Sequence, residues 1–261
     1  MDIFSHTTAG LAAGALAAGM PRGASFALKL RILIAGLLGG AFPDIDALSL
    51  WKGFDAAIGR GLGLAPGRAI YHGKLWYSHH GFFHSIAAVA LFACIAALLF
   101  NTAGLIRERR GFRGKFLAVF AAFAMGGFAH LLCDCITPAS VWGGIRIFFP
   151  AEVYAGGWGY VWWWNNYDLF LIISGSCIIN LLFLFVPSLS LRRIVPAVLT
   201  SAAVVLIAVQ IHGRQFEYSY SGNSKRYFEL EKRSKEEQRR VLGEKIYGLM
   251  EKLDKSINFY F

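Results

Sequence analysis

The sequence predicts an all-α protein: a polytopic membrane bundle of about six apolar helices with a soluble helical tail at the C-terminus. Of the 261 residues, 56% are hydrophobic and 16% are charged, and the mean hydropathy is +0.49. A soluble domain of this length would leave large apolar patches exposed. The apolar residues also run in blocks, which is typical of membrane spans. We therefore expect residues 1–211 to form a transmembrane helical domain and residues 212–261 to form a soluble, amphipathic helical tail.

Six apolar segments follow one another along the transmembrane part. They are predicted at about Thr7–Met20, Leu30–Phe42, Phe83–Phe100, Phe116–Ile136, Leu169–Val186 and Ile194–Ile211. The last four are long enough to cross a bilayer, whereas the first two are shorter than the roughly 20 residues that a crossing needs. These two are rich in glycine and alanine, so they can pack closely against other helices. We interpret them as thin, partly buried spans, with re-entrant helices as the alternative.

Lysine and arginine are concentrated in three of the connecting loops. These residues are Arg22, Lys29 and Arg31, then Arg107, Arg109, Arg110, Arg113 and Lys115, then Arg192 and Arg193. If every segment crosses the membrane, the three loops share one side, and the positive-inside rule makes that side cytoplasmic. Both termini and the loops at residues 43–82 and 138–166 are then predicted on the outer side.

The formal net charge of +10 does not by itself indicate a nucleic-acid partner. Residues 212–261 hold 11 lysines and arginines against 8 acidic residues, which is a mixed, solvated pattern. The other 15 basic residues lie mostly in short loops, where membrane orientation explains them. We expect membrane lipids as partners and no nucleic acid.

Two features lie outside the apolar segments. The loop that ends in Trp158, Trp162, Trp163 and Trp164 is interpreted as an interfacial aromatic belt, with a lipid-contacting rim over a site as the alternative. In the tail, Ser234 and Glu237 have the spacing of a capping box at the start of a helix. The apolar residues that follow are predicted to form one stripe that docks on the membrane domain or on a partner. This stripe consists of Val241, Leu242, Ile246, Leu249, Met250 and Leu253.

Histidines and aspartates stand at the ends of four apolar segments. They are His6, Asp44, Asp46, His79, His80, His84, His130 and Asp134. With alternating crossings, all of these ends fall on the outer face, although the orientation was assigned from lysine and arginine alone. His130 and Asp134 are four residues apart on a helix, so both side chains project from one face. His80 and His84 have the same spacing.

A mixed set of imidazoles and carboxylates suits Zn²⁺, with Mn²⁺ or Fe as weaker alternatives. Eight ligands exceed the four of one tetrahedral ion, so two or three ions fit the number better. Single residues have simpler interpretations: a lone intramembrane histidine is often a packing residue, and Asp44 and Asp46 could be turn residues after Pro43. Taken together the set argues for a metal site, because buried ionisable groups are costly.

Other residues of metal-binding type are interpreted as structural. Cys94, Cys133, Cys135 and Cys177 lie in apolar segments and are predicted to be small buried hydrophobes, not disulfides. Cys133 and Cys135 flank Asp134, so thiolate ligation is the alternative. His72 and His212 lie apart from the motifs and are predicted on the surface.

At these same residues, over roughly residues 1–150, the sequence resembles the YdjM-like (DUF457) family of bacterial membrane-bound, metal-dependent hydrolases. The family's His-x-x-x-Gly is matched by His6 to Gly10, its Pro-Asp-x-Asp by Pro43 to Asp46, and its His-Arg-Gly-x-Thr-His-Ser by His79 to Ser85. Its His-x-x-x-Asp followed by Thr-Pro is matched by His130, Asp134, Thr137 and Pro138. The sequence departs from the family at His80, where arginine is usual, and at Phe83, where threonine is usual.

The resemblance implies a multi-pass protein of the bacterial inner membrane, with the site on the outer face. The family's ligand pattern is similar to that of zinc-dependent phospholipase C and P1 nuclease, which implies phosphoester cleavage by a cluster of zinc ions. The expected substrate is a phospholipid or a lipid-linked phosphate. The expected metal ligands are His6, Asp44, Asp46, His79, His84, His130 and Asp134.

Two residues are expected to act in catalysis. Asp46 is interpreted as a ligand or the general base, and His80 as an extra ligand or a cation near the substrate. Arg146 could meet a phosphate, with a surface arginine as the default interpretation. A metal transporter or metal-sensing membrane protein is the alternative function, and a structural partner protein is a third. Segments five and six offer only uncharged polar residues for a conduction path, which disfavours transport.

Overall fold

The computed structural model describes residues 1–107, 111–214 and 216–256. Within these ranges the chain forms eight α-helices. They are α1 (Ile3–Gly19), α2 (Phe26–Ala41), α3 (Gly67–His72), α4 (Ile86–Arg107), α5 (Phe112–Ile136), α6 (Tyr167–Phe183), α7 (Leu189–His212) and α8 (Ser224–Ser256). Short 3-10 helices occupy Phe42–Leu50 and Phe82–His84, and a π-helical turn occupies Asp55–Gly59. The predicted all-α class is confirmed, and the six apolar segments correspond to α1, α2 and α4 to α7.

The lengths of two apolar segments differ from the prediction. Three stretches among the described residues are long and apolar enough to cross a membrane: Phe26–Leu50, Phe112–Ile136 and Leu189–His212. The second segment is longer than predicted because Pro43 stands in the first turn of a 3-10 helix that continues α2. The fifth segment is shorter, because α6 has only 17 residues.

Glycines let α1, α2 and α5 approach one another closely, as their composition predicts. A Cβ added at Gly10 of α1 would lie 2.4 Å from the carbonyl oxygen of Gly36 in α2. A Cβ at Gly39 of α2 would lie 2.1 Å from the carbonyl oxygen of Phe123 in α5. Real Cβ atoms cannot approach a carbonyl oxygen so closely, so these backbone contacts depend on glycine. The tight packing fixes the ends of the three helices relative to one another.

Two of the basic loops meet at one end of the bundle. Lys29 at the start of α2 donates to the carbonyl oxygen of Leu184 at 3.1 Å. Arg192 of α7 donates to the carbonyl oxygen of Gly19 at 3.3 Å, and Arg193 donates to that of Met20. The α1–α2 and α6–α7 connections therefore share an end, as the positive-inside argument expects. In the α4–α5 loop, the predicted basic residues Arg109 and Arg110 lie outside the described residues.

The tail docks on the membrane domain, but not through the predicted stripe. Helix α8 begins after Asn223, whose side chain accepts from the Lys225 amide at 3.0 Å. The capping box was therefore wrong, and Ser234 is buried in the middle of the helix. Gly243 breaks α8 with a φ of 73°, which interrupts the helical stripe that the sequence pattern assumed. Ile246, Leu249 and Leu253 are exposed as a result.

The docking face is instead built around a buried tryptophan. Trp162 is fully buried and packs against Tyr218 and Leu230, so the aromatic-belt interpretation is wrong for this residue. Trp158 and Trp164 are exposed, as a belt requires. Polar contacts extend the interface: Gln238 accepts from the Asp168 amide at 3.1 Å, and Arg214 pairs with the Asp168 carboxylate at 3.0 Å. Tyr167 donates to Asp254 at 2.8 Å. Residues 257–261 of the predicted tail lie outside the described residues.

Candidate metal centre

The predicted histidines and aspartates converge at one end of the bundle. His6 lies in the first turn of α1, the Asp44–Asp46 pair follows α2, the His79–His84 segment precedes α4, and His130 and Asp134 lie in the last turns of α5. This is the end opposite the two joined basic loops. All eight residues are buried except Asp44, which is half-buried. The predicted convergence of four segment ends is therefore what the structure has.

Two imidazole nitrogens and two carboxylate oxygens face one another at the centre of the cluster. His84 Nε2 and His130 Nε2 are 3.4 Å apart. His130 Nε2 is 3.0 Å from Asp134 Oδ2 and 3.6 Å from Asp44 Oδ1, and His84 Nε2 is 3.3 Å and 3.7 Å from the same oxygens. The edge of a tetrahedron with metal–ligand bonds of about 2.0 Å is about 3.3 Å. The four atoms thus have the spacing of a metal's ligands.

Hydrogen bonds fix the tautomers of these two rings. His130 Nδ1 lies 2.7 Å from the carbonyl oxygen of Gly40, which only accepts, so Nδ1 carries the proton. His84 Nδ1 lies 3.0 Å from Asp46 Oδ2 and is protonated for the same reason. In its neutral form, each ring then points an Nε2 lone pair at the other ring and at two carboxylates. Such a group of lone pairs is repulsive unless a cation lies among them.

Asp46 holds two histidines at once. Its Oδ1 is 2.7 Å from His79 Nδ1 and its Oδ2 is 3.0 Å from His84 Nδ1, and its side chain is fully buried. Both carboxylate oxygens are therefore engaged by ring N–H groups, and both Nε2 atoms are left free. A carboxylate that accepts a hydrogen bond from the second ring nitrogen of a metal-binding histidine orients the ring and raises the basicity of the ligating nitrogen. This geometry is that of a positioning residue, whereas the sequence suggested a ligand or a general base.

His80 lies beside this pair in a turn, not on a helix. Its φ of 63° places it in the left-handed region, and α4 begins only at Ile86. The predicted helical relation of His80 to His84 was therefore wrong, because the chain reverses at Gly81 through a short 3-10 turn. His80 Nδ1 lies 3.0 Å from the carbonyl oxygen of Gly144, so its Nε2 is also free. His79, His80 and His84 each offer a ligand atom, and these atoms lie within 4.8 Å of one another.

His6 joins the cluster from the other side. It forms a third ligand group with His130 and Asp134, and its ring stacks on that of His130 with centroids 3.8 Å apart. His6 Nε2 is 2.9 Å from the Met1 carbonyl oxygen and 3.2 Å from Asp134 Oδ1. The Nδ1 atom of His6 is buried without a hydrogen-bond partner, and so is Asp134 Oδ2. These two buried, unsatisfied acceptors are what a bound cation would satisfy.

The charge balance of the His79–His84 turn follows from burial and from the carboxylates. Burial first, and then the neighbouring His79 and His84, lower the pKa of His80 well below its ordinary value. A neutral His80 could offer its free Nε2 to a metal ion. Burial opposes the charge of His84 as well, but the Asp46 carboxylate, with Asp134 and Asp44, raises the pKa of His84 well above its ordinary value. Without a metal ion, these carboxylates therefore favour the protonated form of His84.

Aromatic residues and a loop cover the His79–His80 turn. The ring of Tyr71 stacks on that of His79 with centroids 4.5 Å apart, and the ring centroids of Trp142 and His80 are also 4.5 Å apart. Trp142 Nε1 donates to the Tyr71 carbonyl oxygen at 2.8 Å, which ties the loop to α3. The sequence reasoning missed Tyr71 and Trp142, as well as the orienting carbonyl groups of Gly40 and Gly144. Nothing in the sequence distinguishes a carbonyl that orients a histidine from any other.

Of the remaining sequence predictions, one is wrong and others are confirmed. Arg146 is buried and donates to the carbonyl oxygens of Pro150 and Ala151 at 3.0 and 2.9 Å, so the prediction of a surface arginine was wrong. His72 and His212 are exposed, as predicted. The four cysteines are free, and Cys135 packs in the hydrophobic core. Among the described residues, no cysteine belongs to any of the three ligand groups.

Comparison with known proteins gives one match. The family model of the YdjM inner membrane protein matches residues 1–216, which is well over half of the chain. No curated protein and no solved structure matches. The apolar helices described above are consistent with a multi-pass protein of the inner membrane. The chain belongs to the YdjM inner membrane protein family.

Proposed function

We propose that this protein is a membrane-embedded, metal-dependent hydrolase that cleaves a phosphoester at the outer face of the membrane. One observation carries the proposal: the Nε2 atoms of His84 and His130 lie 3.4 Å apart and face two carboxylates. A structural role would not need two imidazoles and two carboxylates that converge on one point, where only a proton or a metal cation relieves their repulsion. The resemblance of the four motifs to those of membrane-bound metal-dependent hydrolases supports the same function.

Zn²⁺ is the simplest ion for this site, because the cluster combines imidazole nitrogens with carboxylate oxygens. His84, His130 and Asp44, with Asp134, form one group that would hold an ion, and His79, His80 and His84 form a second. Each shared histidine has one free nitrogen and would bind one ion at a time, so only groups that share no residue could be filled together. His6, with His130 and Asp134, is the third group. Divalent ions held there would supply Lewis-acid polarisation of a phosphoryl oxygen and would lower the pKa of water.

The residues of the chain itself divide the remaining work. Asp46 and the Gly40 and Gly144 carbonyl groups hold the rings so that each Nε2 faces inward. Asp44 is the half-buried carboxylate of the cluster, with 16% of its side chain exposed, so it lies nearest to an approaching substrate. Tyr71 and Trp142 cover the His79–His80 side and exclude water from it. A dry, preorganised site strengthens every electrostatic interaction inside it.

The test is metal-dependent turnover by the full-length protein in detergent or nanodiscs. Phosphomonoesters and phosphodiesters with a chromogenic leaving group are supplied with and without Zn²⁺. We expect hydrolysis that requires the metal and is lost in His84→Ala, while the exposed His72→Ala variant keeps wild-type turnover. Metal-independent turnover, or equal turnover in His84→Ala, would contradict the proposal. Uptake of labelled metal into proteoliposomes without any hydrolysis would favour a transporter instead.

A further inference from the structure

A pocket of about 170 Å³ adjoins the metal centre. Its walls come from the 3-10 helix after α2, the π-helical turn, α3 and the turn before α4. Most of the lining is apolar: Ile45, Leu48, Phe54, Ile58, Ile70 and Phe83. An apolar cavity of about 150 Å³ stays dry and binds a ring the size of benzene. The pocket therefore has room for a short stretch of alkyl chain.

The polar residues of the lining do not offer a charge to an occupant. Asp46 lines the pocket, yet its side chain is fully buried and both carboxylate oxygens are bonded to His79 and His84. Ser49 donates its hydroxyl to the Asp46 carbonyl oxygen at 2.9 Å. An occupant is therefore bound by apolar contact and not by ion pairing.

The mouth of the pocket continues a lipid-facing surface. Leu30, Ile34 and Leu38 recur every four residues on α2 and are 43%, 39% and 41% exposed. Beyond them, Ile45 and Leu48 at the rim of the pocket are 51% and 47% exposed. In a helix that crosses the membrane, exposed apolar side chains face the acyl chains of the bilayer. The pocket therefore opens towards hydrocarbon.

The back of the pocket touches the metal ligands. Asp46 connects the two, since its backbone segment lines the pocket and its carboxylate holds His79 and His84. Phe83, which also lines the pocket, is followed directly by His84. An amphiphile whose chain lies in the pocket would place its polar end beside the cluster.

We propose that this pocket takes an alkyl chain of the substrate, so that the phosphoester is carried by a membrane lipid that enters sideways from the bilayer. The inference rests on the proposed hydrolase function and names its substrate class. Phe54, Ile58 and Ile70 are then specificity-determining residues, which contact the chain and not the phosphoester.

The pocket is tested with a phosphatidylethanolamine that carries a photoactivatable diazirine in one acyl chain. The full-length protein is labelled in nanodiscs and the cross-linked peptides are mapped. We expect enrichment at residues 54–70 over the α2 stripe. Filling the pocket with Ile58→Trp should lower this labelling about tenfold, the factor that about 1.4 kcal/mol represents. Leu62→Trp, at a residue that is 70% exposed and outside the pocket, should leave labelling unchanged. The rim variant Ile45→Trp should also lower labelling of residues 54–70. Size-exclusion profiles check that each variant is folded.

Measurements of turnover distinguish a failure of the pocket proposal from a failure of the proposed hydrolase function. A diacyl phosphoester and its deacylated counterpart with the same headgroup are compared. Ile58→Trp should lower kcat/KM for the diacyl substrate about tenfold and leave the weaker cleavage of the deacylated one unchanged. Hydrolysis without enriched labelling, or equal cleavage of both substrates, would refute alkyl-chain binding in the pocket but would leave the proposed hydrolase function standing. Enriched labelling without hydrolysis of any phosphoester would contradict the function and keep the lipid pocket.

Discussion

Replacing Asp46 with asparagine is the sharpest perturbation of the cluster that leaves every inward-facing nitrogen in place. The carboxylate accepts from His79 Nδ1 at 2.7 Å and from His84 Nδ1 at 3.0 Å. An amide has one acceptor oxygen, so its NH₂ group must face one of the two ring N–H groups. That ring must lose its hydrogen bond or move its proton to Nε2, where it blocks metal binding.

The expected loss is large because both bonds involve a charged group. A hydrogen bond to a charged group contributes about 1.5–3 kcal/mol, and removing an orienting partner of a metal-binding histidine lowers metal affinity by about 10- to 100-fold. We expect Asp46→Asn to lower zinc affinity within that range and to keep the wild-type number of ions at saturating zinc. Asp44→Asn, which removes a ligand atom from one group, should instead lower the number of ions bound.

The assay is competition against a chelator of known zinc affinity, followed by elemental analysis of the full-length protein. Glu152→Gln is the control, because its side chain is 94% exposed. If Asp46→Asn binds zinc within about twofold of wild type, or if it loses an ion at saturation as Asp44→Asn does, the positioning role is refuted.

Three further predictions follow from charge and packing. The pKa of His84 is raised in the metal-free protein, so its imidazolium stabilises the fold fully below the unfolded-state pKa and less as pH rises through the raised pKa. The Tm of the chelator-treated protein should therefore fall with rising pH. A Tm that does not change with pH would contradict this. Leu230→Ala should cost about 2–5 kcal/mol and release the tail to limited proteolysis, whereas Phe228→Ala, 72% exposed, should not. Gly10→Ala should abolish folding in membranes, because its Cβ would meet a carbonyl oxygen at 2.4 Å; Gly175→Ala, with open space around it, should be stable, and equal melting of the two variants would refute the packing argument.

Composition and residue patterns were enough for the helical class and for the convergence of the site. Blocks of apolar residues indicate spans regardless of detail, and alternating crossings place alternate segment ends on one face. His6, Asp44, His84 and Asp134 were therefore brought together by counting crossings. The distances between these side chains and the tautomers of the histidines could not be predicted from the sequence, because they depend on backbone carbonyl groups such as that of Gly40.

Three of the errors share a cause: each took a local spacing of residues as evidence of a continuous helix. His80 and His84 have helical spacing, but the left-handed conformation at His80 ends any helix there. Ser234 and Glu237 have the spacing of a capping box, but the helix begins at Ser224, after Asn223. The tail stripe assumed an unbroken helix through Gly243. In each case a local backbone conformation or a helix cap, and not the spacing of the residues, decided where the helix begins or ends.

The number of zinc ions bound by the purified full-length protein tests the metal centre most directly. His84 belongs to two of the three ligand groups, whereas His6 belongs to one. After equilibrium dialysis against zinc, elemental analysis should find about two ions per wild-type chain and fewer in both His6→Ala and His84→Ala. Wild-type protein that stays free of zinc, or variants that retain the wild-type number of ions, would contradict a metal centre at these helix ends.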